Sequence, residues 1–178
     1  MEYIILLRGI NVGGRTIPMA ELKTCFEKAG YRKVQTVLQT GNVILESPEK
    51  KTATVRARVE SLLSKTFGYP ARVLVLVPET LRALAEKYPF TGVGSEFHRY
   101  IVFTEDGFEK ELVKLAGTLD KSMEEIKAGK DVLYWRVRKG STLDSDFGKL
   151  MGKAAAKHFM TNRNLNTLEK VLAKCEPA

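Results

Sequence analysis

Long apolar runs are missing from this chain: no stretch approaches the roughly 20 residues that a membrane-spanning helix needs. The opening stretch, Met1-Glu2-Tyr3-Ile4-Ile5-Leu6-Leu7-Arg8, is too short and wrongly flanked for a signal peptide. It reads as a first strand, and a cytoplasmic protein with no membrane partner is expected. Cysteine is scarce. Cys25 falls inside a helical pattern and Cys175 near the end, with no C-x-x-C spacing, which excludes a disulfide framework and a zinc site. The two histidines, His98 and His158, stand far apart, with no Cys or Asp at a recognisable spacing. Neither G-x-S-x-G nor H-E-x-x-H occurs. The acids Glu124-Glu125 and Asp144/Asp146 read as hairpin and helix-start residues. No metal or cofactor is expected.

What the chain does have is ordinary globular material: 178 residues, 44% apolar and 28% charged. A chain of this size buries roughly 70% of its unfolded surface and needs no covalent staple. The formal net charge is +8, a bias toward anionic partners that solubility alone also explains. It is uneven, with nine basic residues against three acids between Arg136 and Lys174.

Periodicity predicts strands at 3–7, 33–38, 42–46 and 72–77, with helices at 19–29, 49–67 and 79–87. After the Pro- and Gly-containing stretch 89–97 the order restarts. A strand at 99–104, a helix at 108–119, a hairpin of 124–128 with 132–137 and a helix at 146–157 precede a strand stub at 159–161 and a last helix at 167–174. The expected fold is therefore α+β, with two ferredoxin-like (split β-α-β) subdomains packed together. Residues 1–88 form the first with a short extra helix, 89–97 a linker, and 98–178 the second with the C-terminal helix. Strands 4–7 and 73–77 are apolar on both faces, so each is expected to be covered on both sides, by the other half or by a second copy.

Topology then gathers polar residues. In a right-handed split β-α-β unit the first two strands run parallel and end at the same side of the sheet. That sets the loop Arg8-Gly9-Ile10-Asn11-Val12-Gly13-Gly14 beside the turn Gln39-Thr40-Gly41-Asn42. Arg8 would supply a fixed charge, Gly13 and Gly14 backbone N–H groups, and Asn11, Gln39, Thr40 and Asn42 polar side chains. The spacing G-x-x-x-G-G is neither the dinucleotide fingerprint nor a Walker loop, and turn-forming glycines with backbone-capping side chains are the plainer account. A second cluster, Thr161 to Glu169, holds Arg163 and Asn164. Its Asn166 and Glu169 have the spacing of a capping box. Lys149, Lys153 and Lys157 would line one helix face, where Gly148 and Gly152 are spaced for close packing. The strand 132–138 puts Tyr134, Arg136 and Arg138 on one face, which an open sheet could use to stack bases; a half-exposed edge strand is the plainer reading.

The segments R-G-I-N-V-G-G, M-A-E-L, V-L-Q-T-G-N-V and T-N-R-N-L-N-T resemble a bacterial family, family 1697 of the domains of unknown function, over nearly the whole chain. Thr40 stands where that family commonly has Ser, and Leu165 where it often has Trp. The resemblance implies a cytosolic bacterial protein with paired ferredoxin-like subdomains, implies no activity, and adds weight to a site at Arg8–Gly14 and Gln39–Asn42. Three readings follow. The first is a binding module for an anionic small molecule or nucleotide at that edge. The second is a nucleic-acid-binding protein using the basic C-terminal quarter, and the third an enzyme of unknown reaction on the same loop edge. Oligomeric state is not legible in the sequence.

Overall fold

A run of six residues with five consecutive buried side chains, Glu2–Leu7 (β1), forms the middle of the first sheet. The chain continues through α1 (Met19–Lys28), β2 (Arg32–Val37), β3 (Asn42–Glu46), α2 (Thr52–Phe67), β4 (Val73–Leu76) and α3 (Pro78–Glu86). Next come β5 (Phe97–Thr104), α4 (Phe108–Ala116), β6 (Glu124–Ala128), β7 (Val132–Arg138), α5 (Asp146–Ala154), β8 (Met160–Asn164) and α6 (Leu165–Leu172). The structure is a computed structural model and describes residues 1–10, 16–92, 94–105 and 107–176.

The strands form two four-stranded sheets, ordered β2-β3-β1-β4 and β6-β7-β5-β8, with adjacent strands antiparallel. Each is the ferredoxin-like order, so both halves are α+β and alike. Because β2 and β1 are both antiparallel to β3, they run parallel to each other. By contacts the chain divides into one unit of Met1–Leu84 with Glu169–Ala178 and a second of Ala85–Leu168.

In the first unit the helices cover one sheet face. Tyr3, Ile5 and Leu7 of β1 meet Val55, Val59 and Leu63, which sit four residues apart on α2, and Leu22 and Phe26 of α1. Each fully buried side chain of this size contributes about 1.5–3 kcal/mol. Gly68, at φ +65, ends α2 in the left-handed conformation that glycine adopts without strain, and its N–H donates to Ser64 O. The opposite face of β1 is closed too, since Ile4 and Leu6 are 0% exposed within the single chain. No second copy is needed to cover it. The tail is tied to the first unit: Glu176 N donates to Glu2, Arg82 donates to Glu176 O, and the Glu176 carboxylate pairs with Lys33.

The second unit has an aromatic helix layer. Trp135 is fully buried between Tyr100, stacked at 5.2 Å, and Phe147, edge-on at 5.4 Å. Its Nε1 donates to the buried carboxylate of Glu124, which also accepts from Phe147 N at the start of α5. The positive end of the helix dipole favours a carboxylate there. Ser145 caps the same helix by accepting from Gly148 N.

Several expectations change. The stub at 159–161 is a full strand, β8, paired with β5 over five residues, which completes the second β-α-β-β-α-β. The strand 132–138 is interior, between β6 and β5, rather than at an edge. α5 stops at Ala154, so Lys157 lies beyond it and only Lys149 and Lys153 share the helix. Gly148 packs tightly, as a Cβ there would lie 2.1 Å from Thr142 O, whereas nothing lies within 4 Å of a Cβ on Gly152. Gly152 instead borders an apolar cleft of about 210 Å³ with Met151 and Met160.

Candidate functional site

The end of the first sheet is built by three segments. Leu7 N donates to Gly41 O at 2.8 Å, which joins the end of β1 to the β2–β3 turn, and Leu6 is in register with Asn42. Arg8 N donates to Arg72 O at 3.0 Å, which joins β1 to the start of β4. The turn presses on the strand-to-helix loop: a Cβ on Gly41 would lie 2.5 Å from Ile10 Cδ1 and 3.0 Å from Leu7 Cβ. Gly41 also has φ +69, so space and backbone both demand glycine.

Around this junction Arg8 is half-exposed, while Gly9, Gln39, Thr40 and Arg72 are exposed. The topology thus brings Arg8, Gln39 and Thr40 to one edge. Asn42 is there as well, but it is fully buried, and its Nδ2 donates to Val37 O at 2.9 Å and Thr40 Oγ1 at 2.8 Å. It shapes the hairpin and presents no surface to a ligand. Asn11, Gly13 and Gly14 lie outside the described residues.

Arg72 was not singled out by the sequence reading, although the same logic reaches it. β4 is antiparallel to β1, with Leu7 in register with Val73, so Arg72 continues that register opposite Arg8. Its Nε stands 3.8 Å from Glu60 Oε1, and Glu60 Oε1 also accepts from Val73 N at 3.0 Å.

Arg163 and Asn164 belong to the second unit, on β8. Arg163 Nη1 donates to Thr161 Oγ1 and to Asn162 O, both at 2.8 Å. Burial pulls its guanidinium down from the ordinary arginine value to about 10, so it stays positive at neutral pH. Asn164 Oδ1 accepts from Asn166 N at 3.0 Å, so Asn164 caps α6, and Asn166, the expected cap, lies inside that helix. Asn166 Oδ1 instead accepts from Arg99.

The arginine-bearing face of β7 is engaged rather than open. Tyr134 is buried and meets Tyr88 edge-on at 5.6 Å. Arg136 binds Glu125 Oε2 through Nη2 at 2.9 Å and lies over the Phe97 ring at 4.8 Å. Base stacking on Tyr134 is thereby excluded.

The second unit closes its sheet end by the same backbone scheme. Thr104 N donates to Asp131 O at 3.3 Å and Glu105 N to Phe159 O at 3.2 Å. Asp131, at φ +60, takes the left-handed conformation that Gly41 takes in the first. Thr104 thus corresponds to Leu7, Glu105 to Arg8, and Phe159 to Arg72. Here Glu105 contacts His158 Nδ1, and the imidazole stacks on Phe108 at 3.8 Å. With Gly107 and Glu111 they line an open hollow of about 520 Å³.

A sheet of this order with a polar, partly basic end defines an α+β protein of paired ferredoxin-like units. A solved structure described as that of the conserved bacterial protein SP0830 from Streptococcus pneumoniae is similar over 97% of each chain, with a TM-score of 0.77 and 24% identity, a likeness of fold. No curated protein matches. The model of the family described as "Protein of unknown function (DUF1697)" matches residues 1–134, and the chain belongs to that family. Among the described residues no helix is long and apolar enough to cross a membrane.

Proposed function

We propose that this protein binds an anionic small molecule or nucleotide at the end of its first sheet. The observation that supports this best is the convergence of Arg8, Gln39 and Thr40, from two separate segments, with Gln39 and Thr40 exposed and Arg8 half-buried around a turn locked by Gly41. An arginine presents a rigid fork of donors to an oxyanion. Exposed amide and hydroxyl groups beside it select among anions by their polar substituents. The turn stays fixed because Asn42 is consumed inside it, so binding does not have to order it.

The test is a thermal-shift screen of nucleotides, phosphorylated metabolites and carboxylates. A ligand at 100 times its dissociation constant stabilises by about 2.7 kcal/mol, which a protein of this size reports as a shift of several degrees. The shift should vanish in Arg8→Ala. A shift that survives unchanged in that variant rejects this edge. An enzyme working at the same edge would show turnover of the ligand found in the screen.

Nucleic-acid binding through the basic C-terminal quarter is the second reading. It is favoured by Lys149 and Lys153, both exposed and one turn apart on α5. Affinity for DNA or RNA should then fall steeply with salt, as phosphate contacts release counterions. A gel shift with no retardation at low salt rejects it.

A further inference from the structure

We infer that the cleft between α5 and β8 in the second unit binds a small apolar carboxylate, its apolar body among Leu143, Met151 and Met160 and its carboxylate accepting a hydrogen bond from Met160 N. The site shares no residue with the sheet end discussed above and does not depend on that reading.

Three observations carry it. The first is where the cleft lies. Successive side chains of a strand point to opposite faces, yet Met160, Thr161 and Asn162 all line the cleft. It therefore meets the outer edge of β8, the last strand of its sheet. Glu105 N donates to Phe159 O in register, so Phe159 turns its backbone groups toward β5. In an antiparallel ladder these directions alternate, so Met160 turns its N–H outward.

The second observation is how the first unit treats the same place. Val73 follows Arg72 as Met160 follows Phe159, and its N–H also points out of the sheet. There α2 supplies the acceptors: Glu60 Oε1 takes Val73 N and Ser64 Oγ takes Ala71 N, each at 3.0 Å. The two helices align by their apolar faces. Val59, Leu62, Leu63 and Phe67 at α2 have the same spacing as Phe147, Leu150, Met151 and Ala155 at α5. Glu60 and Ser64 then correspond to Gly148 and Gly152. His158 N, the counterpart of Ala71 N, is served by Ala154 O. For Met160 N, the counterpart of Val73 N, α5 has no side chain to offer, and the cleft of about 210 Å³ stands there instead. A ligand carboxylate would restore the charge-assisted bond that Glu60 makes in the first unit.

The third observation is Gly152. It lies inside a helix, where glycine is less favourable than alanine. Packing does not require it: nothing lies within 4 Å of a Cβ placed there, whereas Thr142 O crowds Gly148. Its effect is to hold the cleft open. Around the edge donor the lining is apolar, from Val102, Leu143, Met151, Ala155 and Met160. Leu143 is 82% exposed, so an apolar body in the cleft gives it cover, and the two methionines adapt to an irregular shape. An apolar cavity of about 150 Å³ holds a benzene ring, so this cleft suits a ring or a short chain.

The experiment is an NMR titration of the isotope-labelled full chain with hexanoate, hexan-1-ol and acetate, following the amides of Met160, Asn162 and Gly152. The variant is Gly152→Leu, which fills the cleft from a position with open space around its Cβ. Its melting temperature should match or exceed that of the parent. Hexanoate should move the Met160 amide and bind at least fivefold tighter than hexan-1-ol or acetate, and Gly152→Leu should weaken it tenfold or more. Hexanoate bound equally by parent and variant overturns the cleft as the site. Hexan-1-ol bound as tightly as hexanoate, or a Met160 amide that stays still, overturns the carboxylate's bond. No saturable shift with hexanoate overturns the proposal, and this arm needs only the parent protein, so it stands even if Gly152→Leu fails to fold. The same amides shifting on dilution of the protein alone would give the cleft to a second copy and overturn the ligand.

Discussion

At the end of β1 the chain sets Arg8 opposite Arg72; at the matching end of β5 it sets Glu105 opposite Phe159. The two backbone bonds are the same, and both turns use a positive φ, at Gly41 and Asp131. One end is basic with exposed amide and hydroxyl groups. The other holds a Glu105–His158 contact over Phe108. Strand pairing fixes where these positions lie, and it is indifferent to their side chains once the last core residue is passed. Chemistry can diverge there without disturbing the sheet. The cores diverge as well. The first unit buries mainly aliphatic side chains behind its sheet, the second a tryptophan anchored to a buried carboxylate.

The largest effect should come from breaking that second core. Trp135→Ala removes a fully buried ring and leaves Glu124 without its indole donor, and should cost about 3–5 kcal/mol. Urea unfolding measures it, and a loss below about 1 kcal/mol would contradict the packing described here. Next is the turn. Gly41→Ala forces a Cβ to within 2.5 Å of Ile10 Cδ1 at a left-handed φ. It should cost about 2–4 kcal/mol by combining backbone strain with overpacking. Asp131→Ala, at the corresponding turn of the second unit, should cost about 1 kcal/mol or less. Equal losses would mean that the two turns are built alike after all.

A smaller effect follows pH. The Glu46 carboxyl is held below its ordinary value of 4.5, first by its hydrogen bond from Lys33 Nζ, a contact of 2.8 Å, and further by the Lys33 and Arg32 charges. A depressed carboxylate stabilises the fold above its unfolded pKa and loses that contribution as pH falls through the folded one. Glu46→Gln should therefore lower the urea midpoint at pH 7, and the difference from the parent should shrink as pH drops from about 5 toward 3. Asp120 in the second unit is lowered too, chiefly by a hydrogen bond from the Ser122 side chain, so Asp120→Asn should show the same sign. The smallest change is expected from Lys149→Glu with Lys153→Glu. Both residues are exposed on α5, and stability should stay within about 0.5 kcal/mol. If the basic quarter holds nucleic acid, that variant loses retardation in a low-salt gel while its melting temperature barely moves.

Much of this was legible in the residues. The apolar run at 3–7, the four-residue spacing of Val55, Val59 and Leu63, and Gly30 and Gly68 after α1 and α2 mark elements by rules acting within a few residues. Their repeated order gave the paired fold, and the parallel first two strands brought Arg8 beside Gln39 and Thr40. At β8 the residues predict only a stub, because Met160-Thr161-Asn162-Arg163-Asn164 shows no apolar alternation, and what makes it a strand is its register against β5. The lysine spacing predicts Lys157 on a helix that ends three residues earlier, because such spacing marks a possible face and not a helix end.

The amino-acid sequence by itself thus determined the fold class, the repeat and the segments that meet at the first sheet's end, since each depends on local periodicity and on a topology with few alternatives. Only the tertiary structure decided how individual side chains are used there. Asn42 and Arg8 are both polar residues at strand ends. One is consumed inside a turn at 0% exposure, and the other stands half-exposed opposite Arg72. That difference comes from which backbone groups lie within hydrogen-bond reach, and such distances are set by residues far apart in the chain.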